Sequence, residues 1–160
     1  MNSQLSPLLQ QAEAKVEAGI KPQFKEAYQR IVIAGMKVAF DPSTHGSIVD
    51  GLRQSKNPIH DVAVGTVGML ILLSQQSKGT MPVPAMVPAG MTLLINGLDY
   101  LEKTNVLKVD ANMLGDATNI YITTLMPKIG ITPQKMQQIA QQTHGAMNNQ
   151  QFMAQFQGTK

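Results

Sequence analysis

The sequence has no cysteine and no tryptophan. Without cysteine there is no disulfide and no thiolate metal site. Aromatic residues make up 4% of the chain, too few for the stacking platforms that hold single-stranded nucleic acid. Charge is also scarce. Asp, Glu, Lys and Arg account for 14% of the residues, against about 25% in an ordinary soluble chain. Arg30 and Arg53 are the only two arginines, and no clustered basic stripe of the kind that marks a DNA-binding face is visible. No sequence-specific nucleic-acid partner is therefore expected. A run of about 20 apolar residues, which a membrane span needs, is missing as well. The opening MNSQLSPLLQQAEAK has no basic segment followed by an apolar one, so no secretory signal is expected.

What the chain does contain is amide. Asn and Gln number 25, against 23 charged residues, while the hydrophobic share is an ordinary 43%. A normal supply of core with a surface poor in charge disfavours a lone monomer, because charged surfaces oppose association. It favours a subunit covered by copies of itself or by partners. At 160 residues the expectation is one domain with a sizeable core.

The patterning is helical. Ser6 and Pro7 read as a cap and first helical residue, followed by Leu8, Leu9, Ala12 and Val16 at helical spacing, with a stop at Gly19. A second helix is expected over Pro22–Phe40, where Phe24, Ala27, Tyr28, Ile31, Val32, Gly35, Val38 and Ala39 make one wide apolar face. A short helix follows over Thr44–Gln54. Asn57 and Pro58 repeat the cap signature and start a fourth helix that runs to about Ser77, with Gly79 as its stop. Pro82, Pro84 and Pro88 predict an extended connector, with Pro88 in the first turn of a fifth helix that ends near Lys103. Asp110 caps a sixth, ended by Pro127 and Gly130, and Thr132 with Pro133 begins a seventh, stopped at Gly145. The expected fold is all-α: a compact domain of six to eight helices over residues 1–145, with a Pro-rich connector. Residues 146–160 are expected to form a Gln/Asn-rich arm or short helix.

Catalysis needs convergent titratable groups. His45, His60 and His144 lack the spacing of a helical metal pair, and Asp41, Asp50 and Asp61 belong to no recognisable motif. No catalytic residue, metal ligand, cofactor or small-molecule substrate is expected. Gly65-Thr66-Val67-Gly68 lacks the GK[ST] of a phosphate loop, and its glycines suggest close approach of another helix. Val62–Leu73 is apolar except for Thr66. Its 12 positions suit a buried core helix better than a membrane span. The sharper alternative is an insertion element carrying Val62, Val67, Leu70 and Leu73, which would move into lipid together with Ala89–Leu101. The eleven methionines suit adaptable packing, in a core or at an interface.

The strongest partner signal lies at the C-terminal end, where residues 134–157 hold nine glutamines. Amides can pair with exposed backbone without the desolvation cost of a charge. Met136, Ile139, Phe152, Met153 and Phe156 are the expected contacts with a neighbouring copy.

The central block HDVAVGTVGMLILLSQQSKGTMPVPAMVPAGMTLLINGLDYLEK, residues 60–103, resembles small virion proteins of tailed bacteriophages. The type includes small proteins packaged inside short-tailed phages and ejected with the DNA. The resemblance covers about a quarter of the chain and includes no catalytic motif, so it assigns no functional residue. It implies a non-enzymatic structural protein of the virion, assembled in the host cytoplasm. Such a protein would form a homo-oligomer with other virion proteins in a capsid, tail or ejection apparatus. The alternative is a membrane-interacting protein, ejected with the genome, that forms or lines a conduit. A second alternative is a lysis or cell-wall enzyme.

Overall fold

Asparagine before proline is a strong helix start, and the chain uses it at Asn57. Its side chain accepts from the His60 amide at 3.2 Å, and Pro58 occupies a position where no amide is needed. Asp110 does the same through the Met113 amide at 2.8 Å. Such local signals divide the computed structural model, which describes residues 5–132 and 134, into six α-helices. They are α1 (Pro7–Ala18), α2 (Lys25–Ala39, entered through a 3-10 turn at Pro22–Phe24), α3 (His45–Gln54), α4 (Pro58–Gln76), α5 (Val83–Lys103) and α6 (Ala111–Lys128). No strand occurs among the described residues, and the all-α expectation holds. The expected seventh helix, the boundary at residue 145 and the terminal arm lie outside them.

α5 is the hub. Fifteen of its 21 residues are buried, so it has no solvent face of any width and must be surrounded. α1, α2, α4 and α6 pack against it, and α4 also packs along α6 and α2. Three close approaches hold these helices together, each at a glycine. A methyl at Gly35 of α2 would strike the Leu93 side chain, and one at Gly97 would sit 2.8 Å from Val62. At Gly90 it would collide with the Tyr121 hydroxyl and Leu70. That hydroxyl, fully buried, donates to the Val87 carbonyl at 2.8 Å and ties α6 to α5.

The proline-rich segment departs from expectation. Helix α5 begins at Val83, five residues earlier than the sequence suggests, with Pro82 as its cap, Pro84 in the first turn and Pro88 inside the helix. Pro88 supplies no N–H for the Pro84 carbonyl. Its ring is fully buried in the core, so the residue is retained for packing at the cost of a helix bond. Only Thr80–Pro82 remains as a connector.

α4, α5 and α6 stop in Schellman turns. After α6, the Ile131 amide reaches the Met126 carbonyl at 2.9 Å and Gly130 takes φ +84°. After α4, the left-handed position is filled by Lys78 at φ +55°, with Gly79 following at +73°.

Candidate functional site

Asp41, Asp61, Asp99 and His45 are spent on local structure. The Asp41 carboxylate accepts from the amide and hydroxyl of Ser43, which hold its pKa below the usual carboxylate value. The Ser55 hydroxyl, and after it His60, does the same for Asp61. Asp50 lies in the middle of the short α3, so these carboxylates cap two turns and do not share a centre. Buried Asp99 is met by Lys103 at 2.6 Å. His45 sits between the Ala39 carbonyl at 3.0 Å and the Tyr100 hydroxyl at 3.2 Å, and it closes an aromatic trio with Phe40 and Tyr100. Among the described residues no cluster of three His, Asp or Glu side chains could hold a metal ion. His144 lies outside them.

The structure instead presents apolar surface. Ile33, Phe40, Ile48, Val64 and Leu72 are exposed, Ile33 at 55%. Three features hold them. The first is a groove of about 710 Å³ between α1 and α2, with Val32, Ile33, Met36 and Phe40 along it. Glu17, and after it Glu13, stands close enough to Tyr28 for its charge to act on the hydroxyl, and Lys37 lies further along α2. Burial, and after it the neighbouring Glu17 charge, raises the Glu13 pKa above the ordinary glutamate value. The Tyr28 hydroxyl is paired with Thr92 at 2.7 Å beneath, and burial raises its pKa too. The second feature is a cavity of about 330 Å³ under α3, walled by α2, α4 and α5. Helix α3 buries none of its own residues, so it is the most lightly held element of the fold. The third is the outer face of α4.

That face answers part of the sequence reading. Val62, Val67, Leu70 and Leu73 are buried, each less than 9% exposed, in the common core with α5 and α6. Val64, Gly65, Gly68 and Leu72 point outward. No atom of another element would lie within 4 Å of a methyl at Gly65 or Gly68. The close packing expected at those two glycines falls on Gly35, Gly90 and Gly97. By length and composition α4 could cross a membrane, yet only 33% of its apolar window is buried.

No family model matches the chain, and neither a curated protein nor a solved structure matches it significantly.

Met136, Ile139, Phe152, Met153 and Phe156, the expected contacts with a neighbouring copy, lie outside the described residues. The α1/α2 groove was not foreseen from sequence, although a signal for it exists. Ile33, Met36 and Phe40 recur at spacings of three and four, a second apolar stripe flanking the face that α2 buries in the core.

Proposed function

We propose that the chain is a non-enzymatic structural protein that assembles into a homo-oligomer as part of a phage particle, in its capsid, tail or ejection apparatus. One observation carries the assembly half of this reading. α2 has already buried Tyr28, Ile31, Val32 and Gly35 in the core, yet it keeps a second apolar stripe open beside a groove. Burial of such surface is worth roughly 25 cal/mol per Å², so a modest patch repeated in every copy is enough to drive assembly. The shortage of charge agrees with it. The phage half rests on the resemblance of residues 60–103 to small virion proteins, and under it the protein would sit in the virion beside other virion proteins.

Two measurements test it. Sedimentation equilibrium is expected to show a mass above 17.3 kDa, and mass spectrometry of purified phage particles is expected to find the chain. A monomer at every concentration, together with its absence from particles, would refute the proposal.

A second reading has its own support. α4 is apolar enough to span a bilayer and is two-thirds unburied, which favours membrane contact during genome delivery. Its buried face is part of the core, so insertion requires α4 to leave α5 and α6. Flotation with anionic and neutral liposomes tests this reading, and a chain that stays at the bottom of the gradient at neutral and acid pH removes it.

A further inference from the structure

The α1/α2 groove is self-complementary, and we propose that it is the seat of a two-fold dimer in which α2 of each copy lies in the groove of the other. This rests on the assembly reading and names its surface. The groove is uneven along its length. Its Tyr28 end carries Glu13 and Glu17, its middle carries Ile33 and Met36, and Lys37 lies beyond them on α2. Neither Glu17 nor Lys37 forms an ion pair among the described residues.

A two-fold axis beside Ile33 runs the two α2 helices antiparallel. Ile33 is the midpoint between Gln29 and Lys37, each about 6 Å away along the helix at 1.5 Å per residue. The rotation therefore carries Lys37 of the second copy level with Gln29, the end where both glutamates stand. The reverse contact follows by symmetry. Ile33 meets its own counterpart at the axis, Met36 flanks it about 4.5 Å to either side at 1.5 Å per residue, and the half-exposed Phe40 rings cover the ends. Four helices result, two α2 in the middle and an α1 on each flank. The parallel arrangement sets Lys37 against Lys37 and the glutamates against glutamates, so charge selects the antiparallel one.

A second copy is favoured over an unrelated partner because the groove itself supplies both halves of the match, the glutamates on α1 and Lys37 on α2. The exposed Glu26 and Arg30 of α2 pair with each other and so neutralise themselves.

The test combines charge exchange with cross-linking, using the full chain. All the positions are solvent-facing, so the variants keep the fold, which circular dichroism verifies. Wild type is expected to sediment as a dimer. Lys37→Glu and Glu17→Lys are each expected to weaken it at least about tenfold, since like charges then face each other. The combined variant is expected to recover most of the wild-type affinity. Because the chain has no cysteine, Ile33→Cys provides a single thiol beside the axis. A short bismaleimide is expected to join two such chains, and to leave Leu72→Cys on α4 unjoined.

If wild type self-associates while both charge variants sediment unchanged, or if Leu72→Cys joins and Ile33→Cys does not, this interface is wrong and assembly runs through another face. A wild type that stays monomeric at every concentration overturns the interface and the assembly reading together.

Discussion

Replacing Gly90 by alanine tests the packing of the hub directly. An alanine in a helix interior is normally favoured over glycine by about 1 kcal/mol. At Gly90 the added methyl has no room, because the Tyr121 hydroxyl, its ring carbon and Leu70 already occupy the space. Over-packing of a well-filled core costs about 1–3 kcal/mol. Displacing the Tyr121 hydroxyl also breaks its bond to the Val87 carbonyl, and a buried hydroxyl left without a partner costs about 1–3 kcal/mol more. After the helix-propensity gain is offset, the expected net loss is about 3 kcal/mol, with about 1 kcal/mol as the floor.

For a chain of this size that lowers the melting temperature by roughly 6–12 °C. Gly68→Ala is the matched control. It sits in the neighbouring helix with nothing within 4 Å and is expected to raise stability by about 1 kcal/mol. Urea unfolding of the two variants against wild type, followed by circular dichroism, gives both signs in one experiment. Tyr121→Phe added to Gly90→Ala removes the displaced oxygen, so the pair is expected to cost less than the sum of its parts, by about 1–3 kcal/mol. If Gly90→Ala unfolds at the same urea concentration as wild type or a higher one, the close contact of α5 with α6 is not as described.

Other outcomes follow from single features. Lys78→Gly relieves the left-handed backbone at φ +55° and is expected to add about 1 kcal/mol in the same assay. Ser55→Ala removes the leading cause of the lowered Asp61 pKa, so carbon-detected titration of that carboxyl should show its midpoint moving up. Because the folded-state value is depressed, the stability contributed by Asp61 is present above the unfolded value and fades as pH falls through the folded one. The variant should therefore be less sensitive than wild type to acid in that window. Hydrogen exchange should find the amides of α3, which buries none of its residues, opening before those of α5, which buries fifteen. Equal protection in the two helices would contradict that order.

The parts of the fold that were legible in the sequence are those decided locally. Asn57–Pro58 and Asp110 announce helix starts because the cap is made by the residue itself, within three positions. Ser6 marks the start of α1 correctly, yet its hydroxyl is buried and makes no cap bond. Prolines 82, 84 and 88 were misread because the lost N–H is a local penalty, while burial of the Pro88 ring is a tertiary gain. Gly65 and Gly68 suggested a neighbour that is not there. Small residues permit an approach and cannot say from which side one comes. Gly90 and Gly97, where the approach to α4 occurs, lie seven apart on one face of α5, a spacing too wide to stand out as a glycine motif, and Gly35 stands alone in α2. The groove was missed because the thinner stripe of Ile33, Met36 and Phe40 borders the wide inward face of α2 and merges with it in the sequence pattern.

The burial of α5 also sets the order of events on the ribosome. α1 and α2 pack chiefly against a helix that begins at Val83. At roughly 5–20 residues per second, the first 82 residues are made over roughly 4–16 s with no central helix to receive Leu9, Val16, Ile31 or Leu70. During that interval the nascent chain displays apolar side chains that the finished fold conceals. Completion of α5 closes its contacts with α1, α2 and α4, and α6 seals α4 soon after. Folding of this helical core therefore waits for α5, and a nascent chain stalled before Lys103 would present a sticky surface to every copy made beside it.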